Sequence, residues 1–160
     1  MYPKQFIQQV FITEFEKLTE TNPYITFALM GIGIEFLGKC LDVNQKDWNK
    51  GGSEKNFNKA IDTLNSFKKY RTPIRVKYKL WDSLRNGFAH SFVPKKHLGL
   101  SSKNEMKHMI EYEQNGTPKI NLRCEDLYVD FKGACIEVIN KDFTIHINNK
   151  MNRQLLSVPS

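Results

Sequence analysis

An arginine, an amide and a histidine stand within six residues of one another in the stretch Trp81-Asp82-Ser83-Leu84-Arg85-Asn86-Gly87-Phe88-Ala89-His90. The segment around it is strongly basic. Between residues 68 and 96 lie Lys68, Lys69, Arg71, Arg75, Lys77, Lys79, Arg85, Lys95 and Lys96, nine cations against the single acid Asp82, a local charge of +8. The whole chain carries +7, so the rest of it is close to neutral. A localised basic field with a histidine at its centre is an address for a phosphate chain, and histidine titrates in the physiological range. The same charge run, taken without its chemistry, is a solvated face.

The helix that must present these groups is expected to start at Thr72-Pro73 and to run to about Phe92. On a wheel of about 100° per residue, Ile74, Tyr78, Trp81 and Phe88 fall within about 60° of Arg85. Arg85 is thus set in an apolar stripe, where its charge is costly unless an anion meets it. That anion is either a ligand or a carboxylate from another helix, such as Glu16 or Glu35. Asn86 and His90 are i, i+4 neighbours, spaced for a side-chain hydrogen bond. Arg85 and His90 stand about 140° apart on a regular helix. One helix therefore presents them poorly to one small ligand, which favours a site shared by two chains.

Stepping outward, residues 4 to about 20 read as an amphipathic helix on Ile7, Phe11, Phe15 and Leu18. Asn22 is a good N-cap and Pro23 fits the first helical position of a second helix, about 23 to 41. That helix is apolar nearly all round, so it is central or lies in a subunit interface. Its Gly31 and Gly33 cost helix propensity; they either admit a close backbone neighbour or mark a loosely formed turn. Asp42 to Gly52 reads as a loop anchored by Trp48. Ser53 is placed to cap a third helix of about 54 to 69, on Phe57, Ala60, Ile61, Leu64 and Phe67. Pro94 and Gly99 mark a loop.

From about Lys107 the period changes to two, and Asn115-Gly116 predicts a hairpin near residues 107–123. A two-residue turn would pair Ile110 with Asn121. A three-residue loop pairs Ile110 with Ile120 and is preferred because it keeps both on one face with His108, Tyr112, Pro118 and Leu122. A fifth helix follows over about 125 to 141. Phe143 to Ile147 is a short strand or an unwinding helix end, and the tail from Asn148 has few anchors beyond Leu155 and Leu156. His97, His108 and His146 read as solvated or strand-face histidines. The fold expected is mainly α: one domain spanning 1–160 with its core over about 4–141, a bundle of about five helices with one inserted β-hairpin.

Bulk properties agree with an ordinary soluble domain, at 160 residues, 40% hydrophobic and 26% charged. Cys40, Cys124 and Cys135 sit in apolar patterns at irregular spacing, as buried free thiols of a reducing compartment do. No cysteine or histidine spacing matches a metal site, and no paired acids suggest a metal-dependent hydrolase. The first residues lack a signal peptide's apolar core. The longest apolar run, Tyr24 to Ile34, falls short of the roughly 20 residues that span a bilayer. A cytoplasmic protein without a membrane partner is the expectation.

Arg85-Asn86-Gly87-Phe88-Ala89-His90 resembles the R-x(4–6)-H motif of the HEPN superfamily, in which the residue after the arginine is typically polar. Long helices before the motif, and its place late in a helix, are similar as well. The resemblance covers about residues 4 to 141 as an arrangement of helices, with the hairpin as an insertion before the last one. It implies a metal-independent endoribonuclease without a cofactor, often of a toxin–antitoxin or antiviral defence system, acting as a homodimer with two motifs facing each other. An antitoxin or other protein partner belongs to the same expectation. The resemblance gives His90 the proton transfer, Arg85 the scissile phosphate and Asn86 the orientation of His90 or the phosphate. The charge count, independently, offers Lys68, Lys69, Arg71, Arg75, Lys77, Lys79, Lys95 and Lys96 as the RNA-binding field. Many members of the superfamily are scaffolds. The alternative is accordingly a non-catalytic dimeric interaction module with Arg85 in a structural ion pair.

Overall fold

The computed structural model describes residues 1–44, 48, 51–103 and 105–155. Helix α1 occupies residues 3–21 as Pro3–Phe6, a π-helical run Ile7–Glu14 and Phe15–Thr21. Its apolar side supplies Ile7, Phe11 and Phe15 to the core. The chain then breaks at Asn22, whose side chain accepts the Ile25 N–H at 3.2 Å, and restarts with Pro23 as the first residue of α2, Pro23–Leu41. An N-cap followed by a residue that lacks an N–H is a local instruction, and the helix begins where it says.

α2 is the centre of the fold. By length and composition it is apolar enough to cross a membrane, but more than half of it is buried inside the bundle, the burial of a core helix. Its glycines are packing sites. A Cβ on Gly31 would lie 3.2 Å from the Arg85 Cα, one on Gly33 would lie 2.5 Å from the Phe131 ring, and one on Gly38 would meet the Asn56 carbonyl oxygen. Three neighbouring elements thus approach α2 at positions without a side chain.

The third helix, α3, Ser53–Thr63, is shorter than its periodicity predicts. Leu64 is extended, and a 3-10 segment, Asn65–Tyr70, takes over. The cause is distant in sequence: the Glu137 carboxylate accepts the Asn65 N–H at 2.8 Å, and the Ser66 N–H and hydroxyl at 2.7 and 2.6 Å. These bonds start a new turn and outweigh continuing the helix. Ser53 is not the cap; Gly52 occupies that position.

The long fourth helix is also divided. Ile74–Lys77 is a single turn, Lys79 is left-handed with φ +46°, and the helix resumes as α4, residues 81–91, with Trp81–Asn86 in π geometry and Gly87–Ser91 in α geometry. Tyr78 is buried with its hydroxyl donating to Glu111 at 2.5 Å, and Ser83 donates back to the Tyr78 carbonyl at 2.9 Å. Anchoring Tyr78 this way bends the chain where the apolar pattern alone continues it.

The predicted hairpin is part of a three-stranded sheet in the order β1-β3-β2, with β1 Leu98–Ser101 parallel to β3 Thr117–Arg123 and β2 Glu111–Gln114 antiparallel to it. The register corrects the three-residue loop. Glu111 pairs with Ile120 and Gln114 with Thr117, leaving a two-residue turn in which Asn115 and Gly116 both have positive φ. This is the turn that Asn-Gly favours. Ile110 faces Asn121 and is 42% exposed, while Ile120 is buried against Leu98 of β1, a strand in a stretch that Pro94 and Gly99 mark as loop. Buried Asn121 donates to Ser101 Oγ at 2.7 Å and to the Lys107 carbonyl at 3.0 Å, so its amide is paired.

Helix α5, Cys124–Asn140, packs on α1 and α2 through Phe131, whose ring stacks on Phe15 with centroids 5.8 Å apart. The segment after it is helical, not a strand: α6, Ile145–Met151. It is anchored more firmly than the sequence suggests. Lys150 is buried, with its ammonium on the carbonyls of Lys39 and Asp42 at the end of α2, where a cation offsets the helix dipole. Trp48 donates to the Lys150 carbonyl at 3.2 Å and stacks on Phe36, the anchoring role expected of it. Residues 45–47 and 49–50 of its loop, and Leu156 of the tail, lie outside the described residues. The three cysteines are buried free thiols, and burial pushes those of Cys40 and Cys124 up to about 12.

Candidate functional site around helix α4

Arg85 lies on the side of α4 that crosses α2 at Gly31. Its Nε donates to Glu35 Oε2 at 2.5 Å, and both side chains are largely enclosed, with 22% and 16% of their surface exposed. The same carboxylate oxygen accepts the Ser53 hydroxyl at 2.6 Å, and Ser53 Oγ accepts the Trp81 indole N–H at 3.1 Å. Of the two acids that the sequence offered, Glu35 is the partner; Glu16 pairs instead with Lys132 at 2.6 Å. The Arg85 Nη groups make no hydrogen bond among the described residues.

His90 has the opposite setting. It is exposed, and its ring makes no hydrogen bond or ion pair among the described residues. The expected Asn86–His90 bond does not form. Asn86 Nδ2 donates instead to Asp82 Oδ1 at 2.8 Å, which Lys95 also contacts at 2.5 Å, and these two partners hold the Asp82 carboxyl below its ordinary range. The π-helical stretch does not bring Arg85 and His90 together: one points into the bundle and one into solvent. Gly87 between them is needed for packing, since a Cβ there would sit 2.7 Å from the Val93 carbonyl oxygen as the chain folds back over α4.

Much of the basic field is neutralised within the fold. Lys69 pairs with Asp130 at 3.0 Å, Arg75 with Asp62 at 3.0 Å, Lys77 with Glu111, and Lys95 with Asp82. Arg71 donates to the carbonyls of Ile61 and Leu64 at 3.1 and 3.0 Å, satisfying the end of α3. Lys68, Lys79 and Lys96 are exposed and make no ion pair among the described residues. The surface offered to a phosphate chain is thus narrower than the linear charge count.

An apolar groove of about 310 Å³ runs between α2 and α4, lined by Tyr24, Ile25, Leu29, Ile32, Phe88 and Phe92. Phe92 stands at its rim, 74% exposed and left-handed, with its carbonyl accepting the Tyr24 hydroxyl at 2.6 Å. The apolar exterior of helix 2 is accordingly divided between the core and this groove.

A polar cluster that the sequence did not reveal joins the sheet to the bundle. His108 is enclosed, not solvated: Nδ1 accepts the Arg123 N–H at 3.0 Å, so the neutral ring carries its proton on Nε2, 2.8 Å from the Tyr70 hydroxyl. Tyr70 in turn donates to Asp130. Burial holds the His108 pKa below its ordinary value, against the pull of Asp126 and Asp130. Tyr70, His108 and Asp130 are far apart in sequence, and no spacing rule links them. Comparison with protein families, with characterised proteins and with solved structures returns no match to this chain.

Proposed function

We propose that this chain is a HEPN-like protein that acts on RNA without a metal ion and works as a homodimer. The observation that supports it best is the display of His90 in solvent on α4, its ring without a partner among the described residues, with the Arg85 Nη edge likewise unpartnered on the same helix. RNA carries its own nucleophile in the 2′-hydroxyl, so a positioned base, a cation for the phosphate and electrostatic stabilisation suffice. His90 supplies the proton transfer, Arg85 the cation, and Asn86 helps to orient the phosphate. A second copy seated over the groove covers Phe92 and brings each α4 toward its twofold mate, so that residues from both chains complete the site. The bundle of helices around α2 is then the HEPN-like core, with the sheet inserted before α5. A role in a toxin–antitoxin or defence system, an antitoxin partner and a cytoplasmic location rest on the resemblance alone.

The Arg85–Glu35 pair favours a second reading: the same dimer as a non-catalytic interaction module, with Arg85 kept for structure. Single-stranded RNA incubated in EDTA with the protein and with His90→Ala separates the two. The ribonuclease reading expects cleavage that disappears in the variant. Equal background in both leaves the interaction module.

A further inference from the structure

A cleft of about 370 Å³ lies at the start of α4, lined by Trp81 and Asp82, and the proposed ribonuclease makes no use of it. It opens where left-handed Lys79 turns the chain between the Ile74–Lys77 turn and α4, a conformation that lysine adopts at a cost. Trp81 lines it with its indole N–H tied to Ser53, which fixes the orientation of the ring. Around the ring stand Arg75, Lys79, Asn58, Glu54 and Asp82. Two of these charges are spent: Arg75 holds Asp62 through two nitrogens at 3.2 and 3.0 Å, and Asp82 holds Lys95 and Asn86. Lys79 and Glu54 are exposed and make no ion pair or hydrogen bond among the described residues.

We propose that this cleft is a nucleotide-binding subsite that selects guanine, with the base on Trp81, its Watson–Crick N–H edge on Glu54 and Asn58, and its phosphate on Lys79. The size suits a small ligand. A fixed aromatic face accepts any base by stacking. A free carboxylate selects the base that presents two adjacent N–H donors, which is guanine, through N1–H and N2–H. A free lysine at the mouth meets the phosphate and repels the competing guest, a guanidinium side chain stacked on Trp81. The proposal deepens the RNA reading by naming the base that the chain would hold beside α4, and it rests on that reading only for the source of the nucleotide.

Calorimetric titration of the full chain with guanosine, inosine, adenosine and cytidine 5′-monophosphates, with guanosine, and with free arginine tests it. Guanosine monophosphate should bind tightest, with about a tenfold or greater preference over inosine and adenosine monophosphates that Glu54→Gln abolishes. Removing the phosphate, or making Lys79→Ala, should each weaken binding several-fold. Trp81→Phe should keep binding and Trp81→Leu should lose it, with circular dichroism confirming that both are folded. Arginine binding in place of the nucleotide, equal affinity for all four bases, or no nucleotide binding overturns the proposal. Guanosine monophosphate binding in a protein that leaves RNA intact supports the subsite and removes the ribonuclease. RNA cleavage without nucleotide binding at the cleft removes the subsite and leaves the ribonuclease.

Discussion

The two sides of α4 are held in opposite ways. On the Arg85 side a chain of hydrogen bonds runs from Trp81 through Ser53 to Glu35 and back to Arg85, with the backbone pressed against Gly31. On the His90 side the ring is exposed and makes no hydrogen bond or ion pair among the described residues. Trp81, Ser53, Glu35 and the Arg85 Nε are spent on the fold; the His90 ring is not. The two histidines repeat the contrast, since His108 has both ring nitrogens engaged and His90 has neither. A side chain's type announces what it can do, and its partners decide whether it is still available to do it.

The largest effect should come from breaking the enclosed side. Glu35→Ala strips Arg85 and Ser53 of their shared acceptor and leaves a partly buried cation; after allowance for its residual exposure, urea denaturation should show a loss of about 2 kcal/mol. A loss near zero would mean that Arg85 is as free as His90, and the contrast would vanish.

The histidine pair predicts a pH effect. The folded state prefers neutral His108, so its contribution is complete above the unfolded value of about 6.5 and is lost as pH falls through the depressed folded value. His108→Gln should remove that component of the decline in denaturation midpoint. The carboxyls of Asp82, Asp126 and Glu137, all held below their ordinary range, lose their contributions only at more acid pH, below about 4. An unchanged pH profile in the variant would refute the assignment.

Smaller still is the effect on RNA binding of single cations. If free lysines carry the phosphate contacts, Lys79→Ala should reduce the slope of log affinity against log salt by about 0.7 for a single strand, whereas Arg75→Ala, already paired with Asp62, should change it much less. Equal changes would show that the pairing does not shield Arg75. The smallest effect belongs to the open side: His90→Ala should alter stability by less than about 0.5 kcal/mol.

What could be read in advance was local. Asn22-Pro23 fixes the start of α2 with a bond three residues long, and the glycines of α2 could be suspected of packing because nothing else recommends them in a helix. What could not be read depends on partners far along the chain. Glu137 ends α3 from 72 residues away, and Glu111 draws Tyr78 out of the predicted helix from 33 away. The hairpin register is not legible in the pattern because apolar Ile110 stays exposed; Ile120 finds its apolar partner in Leu98, and β1 carries too little periodicity in Leu98–Ser101 to be seen. At the site, Glu35 was legible only as one of two candidate acids beside Glu16, whereas the neutralisation of Lys69, Arg75 and Lys77 required the fold.

In the proposed homodimer the site is shared, with Arg85 turned inward and His90 outward in each chain, and the apolar groove between α2 and α4 seats the second copy. Light scattering at tens of micromolar, on the protein and on Phe92→Asp, tests this most directly. The exposed Phe92 lies at the groove's rim, so the substitution should spare the fold and place a charge in the interface. A dimer that becomes a monomer in the variant is the predicted result. A wild-type monomer, or a dimer indifferent to Phe92→Asp, would contradict the shared site while leaving the helical fold intact.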